Sequence, residues 1–263
     1  MIITEAIQRP WLSVVIPAYN EEERLPQTLA RVDGYLATQP EPGEIIVVDD
    51  GSRDGTVRAV EAFAQTHAAV RVIRNDHRGK GYAVRTGMLA ARGRTVLFTD
   101  ADLSAPIEDV AKLLPWFERG YDIVIGSRAG GTVDVHRLHA PLLRRVMGRV
   151  FNWVVRLLAV RGIQDTQCGF KAFRDRVAQD VFMHLQLYGD NAPRVTGGMM
   201  TAFDVEVLFV GRKRGYRIRE VPVRWSYGPG TKIHLVRDSW RNFRDVVRVR
   251  WNDLRGRYRA PAP

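Results

Sequence analysis

Cysteine is almost absent from this chain of 263 residues, and its scarcity excludes two classes of protein. Cys168 is the single cysteine. An internal disulfide framework and a cysteine-rich metal centre are therefore both excluded. A metal ion, where one is bound, has to be held by oxygen ligands.

Long apolar runs are also missing. No stretch approaches the roughly 18 uninterrupted apolar residues that a membrane-crossing helix needs. The first ten residues, MIITEAIQRP, contain Glu5 and lack the apolar core of a signal peptide. We therefore expect a cytoplasmic protein that does not cross a membrane.

Acidic residues are fewer than basic ones, 29 against 40, which gives a formal net charge of +11. Such an excess suits nucleic acid, an anionic membrane surface or phosphorylated substrates. The basic residues concentrate after Arg128 and above all between Arg237 and Arg259. Because zinc-finger, homeodomain and RNP-type patterns are missing, we expect no nucleic-acid partner and favour a membrane surface or phosphate chemistry.

Two nucleotide-binding motifs are missing as well. The sequence contains no G-x-x-x-x-G-K-[ST] loop, and no G-x-G-x-x-G fingerprint follows its first apolar run. A P-loop enzyme is therefore excluded, and a dehydrogenase of the Rossmann type is disfavoured.

What the chain does contain is a regular alternation of apolar runs and helical patterns. Together with 45% hydrophobic residues, it predicts an α/β fold with a mostly parallel sheet and helices on both faces. We expect one catalytic domain over residues 1–227 and a basic, amphipathic C-terminal extension over residues 228–263. The predicted strands are Leu12–Ile16, Glu44–Val48, Val70–Arg74, the apolar run before Asp100, and Asp122–Ile125; the predicted helices include Glu21–Thr38, Tyr82–Ala91 and Leu113–Phe117.

Asp100 and Asp102 stand directly after one of these apolar runs, in the segment RTVLFTDAD. A buried strand would bring both carboxylates to its carboxyl end, where open α/β sheets bind ligands. Carboxylate oxygens suit Mg²⁺ or Mn²⁺, and such an ion commonly bridges a protein to a diphosphate. The alternative is that one aspartate merely caps the next helix.

Three more loops with polar side chains follow other predicted strands: Pro17–Glu21, Asp49–Ser52 and Arg78–Gly81. In a parallel sheet all of them would line one edge and form a continuous pocket. There an aspartate could accept N–H groups of uracil or guanine, Tyr19 could stack on a base, and Lys80 could neutralise phosphate.

Five segments in order, SVVIPAYNEEERL, VVDDGSRDGT, RGKGYAVRTGMLAARG, FTDADLS and IVIGSR, resemble the catalytic domain of family 2 inverting glycosyltransferases, which have the GT-A (Rossmann-like) fold. In the second half GIQDTQCGFKAF, AFDVEVLF and GTKIHLVRDSW are similar to dolichyl-phosphate β-glucosyltransferases. The resemblance runs from Trp11 to about Arg250. One departure is the ADLS string, which is closer to polyprenyl-phosphate mannosyltransferases.

The resemblance implies a nucleotide-sugar donor, a Mg²⁺ or Mn²⁺ cofactor and a polyprenyl-phosphate acceptor. Glucose from UDP-glucose is the first expectation; mannose from GDP-mannose and transfer to a non-lipid acceptor are the alternatives. Asp100 and Asp102 are the expected metal ligands. The expected donor contacts are Pro17, Tyr19, Asn20, Glu21, Asp49, Asp50, Ser52, Lys80, Gly81, Asp100, Ala101 and Asp102.

On the acceptor side, Asp165 is the first candidate for the catalytic carboxylate, with Asp204 and Glu206 as alternatives. Since these two alternatives point in different directions on a helix, only one of them could reach the site. Arg128 and Lys232 are the candidates for phosphate contacts. The plainer interpretations are a turn cap for Asp165, a solvated or salt-bridged helix residue for Glu206 and a structural ion pair for Arg128. Cys168 is expected to be a buried filler, and the six histidines to lie at the surface.

Two basic amphipathic helices are also predicted. One covers residues 138–158, and the other has an apolar stripe formed by Val236, Trp240, Phe243, Val247, Trp251 and Leu254. Such helices pack into a core or lie in a membrane interface. The second interpretation predicts peripheral association with the anionic inner face of the membrane; nothing in the sequence selects an oligomeric state.

Overall fold

The computed structural model describes residues 9–129, 160, 162–195, 203–226 and 235–258. The predicted helix over residues 138–158 and the candidate Lys232 lie outside these ranges. The strands are β1 Leu12–Ala18, β2 Glu44–Asp49, β3 Val70–Arg74, β4 Thr95–Thr99, β5 Ile123–Ser127, β6 Phe170–Arg174 and β7 Ile218–Pro222. The helices are α1 Leu25–Ala37, α2 Thr56–Ala64, α3 Lys80–Ala90, α4 Val110–Glu118, α5 Asp175–Met183, α6 Phe203–Lys213 and α7 Leu235–Leu254.

All seven strands form one sheet in the order β3-β2-β1-β4-β6-β5-β7. Every pairing is parallel except those of β6, which runs antiparallel to both β4 and β5. The chain steps outward from β1 to β2 and β3, then returns to place β4 on the other side of β1. This reversal of direction lies between β1 and β4, where open α/β sheets form their ligand crevice. The predicted mostly parallel α/β sheet is confirmed.

Strand β6 is not among the strands predicted from the sequence. Its segment, FKAFR, is a short apolar run interrupted by lysine and arginine. The spacing of its apolar residues therefore distinguishes neither a strand nor a helix. In the sheet Thr99 pairs with Phe170 and Ile125 pairs with Lys171. Because β6 runs backwards, its amino end lies at the edge where the parallel strands have their carboxyl ends.

Helix α1 begins later than predicted, at Leu25 instead of Glu21. Pro26 occupies its first turn, where the missing N–H group costs nothing. The residues before it form a turn in which the carbonyl of Glu21 accepts the amides of Arg24 and Leu25. Glu21 is thereby left at the end of β1, on the loop side of the sheet.

The core has two parts, one on each face of the sheet. Helices α1, α2 and α4 cover one face through residues such as Leu29, Val60 and Leu113. Helices α3, α5, α6 and α7 cover the other through residues such as Val84 and Val181. The predicted helices on both faces are therefore present.

A direct test of this packing is the contact of α3 with the sheet at Gly87. A Cβ atom there would lie 2.3 Å from Val15 Cγ1 and 2.9 Å from Val48 Cγ2. We expect Gly87→Ala to lower the free energy of unfolding by about 1–3 kcal/mol, because two buried strands would have to move. The measurement is urea unfolding followed by circular dichroism.

Gly34 is the matched control, since it is also helical but exposed, and a Cβ atom added there would have nothing within 4 Å. Gly34→Ala should raise stability by roughly 0.5–1 kcal/mol through helix propensity. Equal effects of the two substitutions would contradict the packing described for α3.

Candidate active site

A cleft of about 300 Å³ opens at the carboxyl edge of the sheet, around the point where the strand order reverses. It is lined by residues from the loops after β1, β2, β3 and β4. Four predicted loops therefore meet as expected. The lining residues are Pro17, Ala18, Tyr19, Glu21, Arg24, Asp50, His77, Gly79, Lys80, Asp100, Ala101 and Asp102.

An aromatic pair forms one side of the cleft. The rings of Tyr19 and His77 stack with their centroids 4.0 Å apart and their planes 3° from parallel. His77 Nδ1 lies 2.8 Å from Asp50 Oδ2, and the amides of Arg78 and Gly79 donate to the same carboxylate. Burial raises the pKa of Asp50, and these contacts oppose the rise. Asp50 thus fixes the loop that carries His77.

Three predicted donor contacts hold loops together and do not line the cleft. The carboxylate of Asp49 accepts the amides of Gly51 and Ser52. Asn20, which has a left-handed φ of 56°, donates its amide to Ser52 Oγ and accepts the amide of Arg53. Gly81, a fourth predicted contact, is buried in α3, where a Cβ would lie 2.7 Å from the ring of Tyr188.

The loop after β4 is held from three sides. Thr28 of α1 donates to the carbonyl of Ala101 at 2.6 Å, and Asp102 Oδ1 accepts the amide of Ser104 at 2.9 Å. Next to it, a Cβ on Gly169 would lie 2.2 Å from Asp100 Oδ2. Only glycine at that position leaves room for the carboxylate of Asp100. Both carboxylates consequently stay at the floor of the cleft.

Lys80 forms an ion pair with Asp100. Burial lowers the pKa of Lys80, but the carboxylates of Asp100 and Asp204 raise it by more, so the ammonium stays charged. Nearby, burial raises the pKa of Glu21, Arg24 opposes this rise, and Asp102 adds to it. The cleft therefore combines the carboxylates of Asp100, Asp102 and Glu21 with two cations, Lys80 and Arg24, and an additional cation would be stabilised there.

The carboxylates present are suited to a divalent ion. Asp100 Oδ1 is buried and is paired with the ammonium of Lys80. Within the described ranges no group of three or more acidic, histidine or cysteine side chains is placed to bind a metal ion. Two carboxylates alone fit a Mg²⁺ or Mn²⁺ that takes its remaining ligands from substrate phosphate and water.

A second ion pair lies beneath the floor. Lys171 of β6 is fully buried, pairs with Asp204 in the first turn of α6, and donates to the carbonyl of Cys168. Burial raises the pKa of Asp204, and the charges of Lys171 and Lys80 oppose it. Positive and negative groups thus alternate from Asp100 through Lys80 and Asp204 to Lys171.

Arg128, directly after β5, forms a bidentate ion pair with Asp165. Nε of Arg128 lies 2.6 Å from Asp165 Oδ2 and Nη2 lies 2.7 Å from Oδ1, while the backbone amide of Arg128 donates to Oδ2 at 3.0 Å. Burial raises the pKa of Asp165, but the bonds and charge of Arg128 lower it by more. Asp165 is therefore ionised and is a weak proton acceptor.

Glu206, the other alternative, points away from the cleft. It is fully buried and accepts the amides of Gln186 and Leu187 and the hydroxyl of Tyr258. The interpretation of Glu206 as a solvated side chain is wrong, because it is fully buried and Tyr258, four residues after the end of α7, bonds to it. Asp204 and Glu206 do point in different directions, as expected. Cys168 is buried, as expected, and burial raises its pKa to about 12.

Sequence reasoning missed three residues at or below the cleft: Arg24, His77 and Lys171. The prediction that every histidine lies at the surface is wrong for His77, whose side chain is only 15% exposed and lies against Tyr19. Its position next to the Arg78–Gly81 loop was the available signal. Lys171 could have been noticed as a charged residue inside an apolar run.

The family model described as Glycosyl transferase family 2 matches residues 13–182, which include every residue that lines the cleft. The chain belongs to glycosyltransferase family 2. The resemblance predicted from the ordered motifs is thereby confirmed, and so is the expectation of a transferase.

Two relatives of this family 2 glycosyltransferase carry a more specific name. The dolichyl-phosphate beta-glucosyltransferase of Drosophila melanogaster is 39% identical over 241 residues, which cover 84% of this chain and 69% of that protein. The protein of the same name from Dictyostelium discoideum is 33% identical over 264 residues, 95% of this chain and 77% of the relative.

A solved structure shares the fold at lower identity. It is the mannosyltransferase PcManGT from Pyrobaculum calidifontis in complex with GDP-Man and Mn²⁺. It superposes with a TM-score of 0.57 and is 22% identical, and the match covers 92% of this chain and 65% of that one, just under two thirds of its length. The predicted GT-A fold is confirmed.

A double-mutant cycle in this glycosyltransferase tests whether the pair of Arg128 and Asp165 contributes to activity as well as to stability. Arg128→Met alone leaves a buried carboxylate unpaired and should destabilise the protein by about 3 kcal/mol. Adding Asp165→Asn removes that charge, and we expect most of the stability to return while transferase activity stays low.

The cycle is measured by urea unfolding and by product formation on the same four proteins. Recovery of both stability and activity in the double variant would show that the pair is purely structural. The charge pair Arg74 and Glu61, exposed on both sides, is the control and should show coupling below about 1 kcal/mol.

Proposed function

We propose that the protein is an inverting, metal-dependent glycosyltransferase that moves glucose from UDP-glucose onto a polyprenyl phosphate. The observation that supports this acceptor and sugar is the 39% identity to a dolichyl-phosphate beta-glucosyltransferase across 84% of the chain. The cleft supports it independently, because it offers an aromatic surface for a base and an ionised floor for a diphosphate.

The donor would lie along the line of loops from β1 to β4. Stacking on Tyr19 would hold the uracil ring, and the Tyr19–His77 contact keeps that aromatic surface in place. Asp50 keeps the His77 loop against it through two backbone amides. The diphosphate would reach the floor, where the ammonium of Lys80 is available to exchange its contact with Asp100 for a phosphate oxygen.

Asp100 and Asp102 would hold the metal ion, Mg²⁺ or Mn²⁺. Such an ion neutralises the charge that develops on the departing diphosphate. Gly169 and Thr28 keep the two carboxylates in position for this role. The three carboxylates in the cleft outnumber the two cations, Lys80 and Arg24, which makes a bound metal ion electrostatically favourable.

The transfer would join a phosphate oxygen of the acceptor to C1 of glucose while the bond from C1 to the diphosphate oxygen breaks, with inversion at C1 and release of UDP. The acceptor oxygen is already anionic near neutral pH, so no strong base is required. The lowered pKa of Asp165 agrees with this. Asp165 would orient Arg128, whose guanidinium also lies 5.2 Å from the ring of Trp225, toward the acceptor phosphate.

We also propose peripheral association with an anionic membrane surface at its inner face, since the acceptor is a lipid and the C-terminal part of the chain is basic. No helix in the described ranges is both long and apolar enough to cross a membrane.

The carboxylate pair gives the sharpest test. Asp102→Asn keeps the shape but removes one metal ligand, and we expect glucolipid formation from UDP-glucose and a short polyprenyl phosphate to fall at least ~100-fold. EDTA should have the same effect on the unaltered protein, and Mn²⁺ or Mg²⁺ should restore activity.

Asp33→Asn is the matched control on α1, outside the cleft, and should retain activity. Full activity of Asp102→Asn, or of the unaltered protein in EDTA, would remove the metal from this proposal.

The donor is tested separately by product detection across UDP- and GDP-sugars. We expect UDP-glucose to exceed GDP-mannose at least tenfold in kcat/KM, a difference of about 1.4 kcal/mol in transition-state binding. The observation that favours GDP-mannose is the ADLS string at residues 101–104. A preference for GDP-mannose would change the proposed sugar and base, but the assignment of the donor site would stand.

A further inference from the structure

Over residues 242–254, helix α7 is packed with the apolar side chains of its stripe outward. Four large apolar side chains are exposed: Phe243 by 36%, Val247 by 44%, Trp251 by 54% and Leu254 by 72%. The opposite side of the same helix is buried and includes three polar residues, Asn242, Asp245 and Asn252. This is the reverse of the usual arrangement for a surface helix.

The outward orientation is fixed by specific contacts. Tyr188 donates its hydroxyl to Asp245 at 2.9 Å, and Tyr258 donates to the buried Glu206 at 2.6 Å. Val246 and Val249 are fully buried in the core between these two bonds. Rotating the helix to bury the stripe would break both hydrogen bonds and expose both valines.

Charge is distributed unevenly around the exposed side. At about 100° per residue, the four apolar side chains fall within an arc of roughly 80°, and Arg244, Arg255 and Arg248 occupy the next ~40°. The guanidinium of Arg255 lies 4.7 Å from the ring centre of Trp251. Over residues 242–254 the carboxylates are either buried, as in Asp245, or ion-paired, as Asp253 is with Lys213 and Arg250.

We infer that this face of α7, formed by Phe243, Val247, Trp251 and Leu254 with the flanking arginines, is the surface that inserts into an anionic lipid membrane. The inference deepens the membrane association in the proposed function and rests on it. Tryptophan and arginine suit the headgroup boundary, where an apolar stripe enters the acyl region and cations meet lipid phosphates. A second copy of the chain fits less well, because an antiparallel two-fold contact of this face with itself would bring the arginine rows together.

The surface is connected to the cleft through α6. Helix α7 packs on α6, and the first turn of α6 supplies Asp204 to the ion pair with Lys171. Lipid bound at α7 would therefore lie against the pair of packed helices, α6 and α7, that supports the floor of the cleft.

The test is cosedimentation of the full chain with vesicles of phosphatidylcholine alone and of phosphatidylcholine with about 30% phosphatidylglycerol. Val247→Ser/Leu254→Ser should weaken binding to the anionic vesicles at least ~10-fold, since it removes apolar area from the inserted stripe. Met183→Ser is the control, because Met183 is 56% exposed but lies at the end of α5.

The charge contribution is tested with the triple variant Arg244→Gln/Arg248→Gln/Arg255→Gln. It should lose at least ~10-fold in affinity for anionic vesicles, and high salt should weaken the unaltered protein similarly. A triple variant of the same charge, Arg58→Gln/Arg119→Gln/Arg176→Gln, alters exposed arginines elsewhere and should lose much less. Equal losses in the two triple variants would overturn the assignment of this face.

The depth to which the α7 face enters the membrane is measured by quenching of tryptophan fluorescence with brominated lipids. Trp251→Phe should bind vesicles normally but show less quenching than the unaltered protein. Unchanged quenching would overturn the inference, and so would a dimer in sedimentation velocity that becomes a monomer in Val247→Ser/Leu254→Ser.

Activity toward a short, water-soluble polyprenyl phosphate without vesicles separates this inference from the proposed function. The stripe variants should retain that activity, because they do not touch the cleft. If the unaltered protein forms no glucolipid in this assay, the proposed function fails. If it forms glucolipid but does not bind anionic vesicles, the docking surface fails.

Discussion

The reversed pairing of β6 between β4 and β5 is the constraint on which the site depends. It brings the segment before Phe170 to the edge where the parallel strands end, so that Gly169 lies against Asp100 and Asp165 meets Arg128. It also places Lys171 beneath the floor of the cleft. A parallel strand in this position would carry the same residues to the opposite edge. The second half of the chain therefore contributes to the site through a single change of strand direction.

The alternating charges below the cleft explain how so many ionised groups share one small volume. Asp100, Asp204 and Asp165 are balanced one for one by Lys80, Lys171 and Arg128. A buried ion costs several kcal/mol unless its partner is close and well oriented. Asp102 lies outside this balance, at the cleft itself, where Glu21 is paired with Arg24 at 3.4 Å. The excess negative charge is therefore confined to the place where a cation and a diphosphate would bind.

Much of the fold and the donor side of the site could be predicted, because both depend on local patterns. Apolar runs that end in polar loops indicated β1 to β5, and parallel topology then required Tyr19, Asp50, Lys80 and Asp100 to meet. The rest depends on long-range pairing. The segment FKAFR has no clear strand period, so β6 and the role of Lys171 could not be read from it. His77 was missed because its partner, Tyr19, is 58 positions away in the chain.

The hydroxyl of Tyr258 on Glu206 has a consequence for the geometry of the whole molecule. This bond, made just after the end of α7, and the buried valines of α7 fasten the helix to the core, so its tilt relative to the sheet is set by the fold. A helix of 20 residues is about 30 Å long, which is enough to define an axis on a flat surface. On a lipid surface bound through α7, as inferred above, the height and orientation of the cleft would be set by the fold before any substrate arrives.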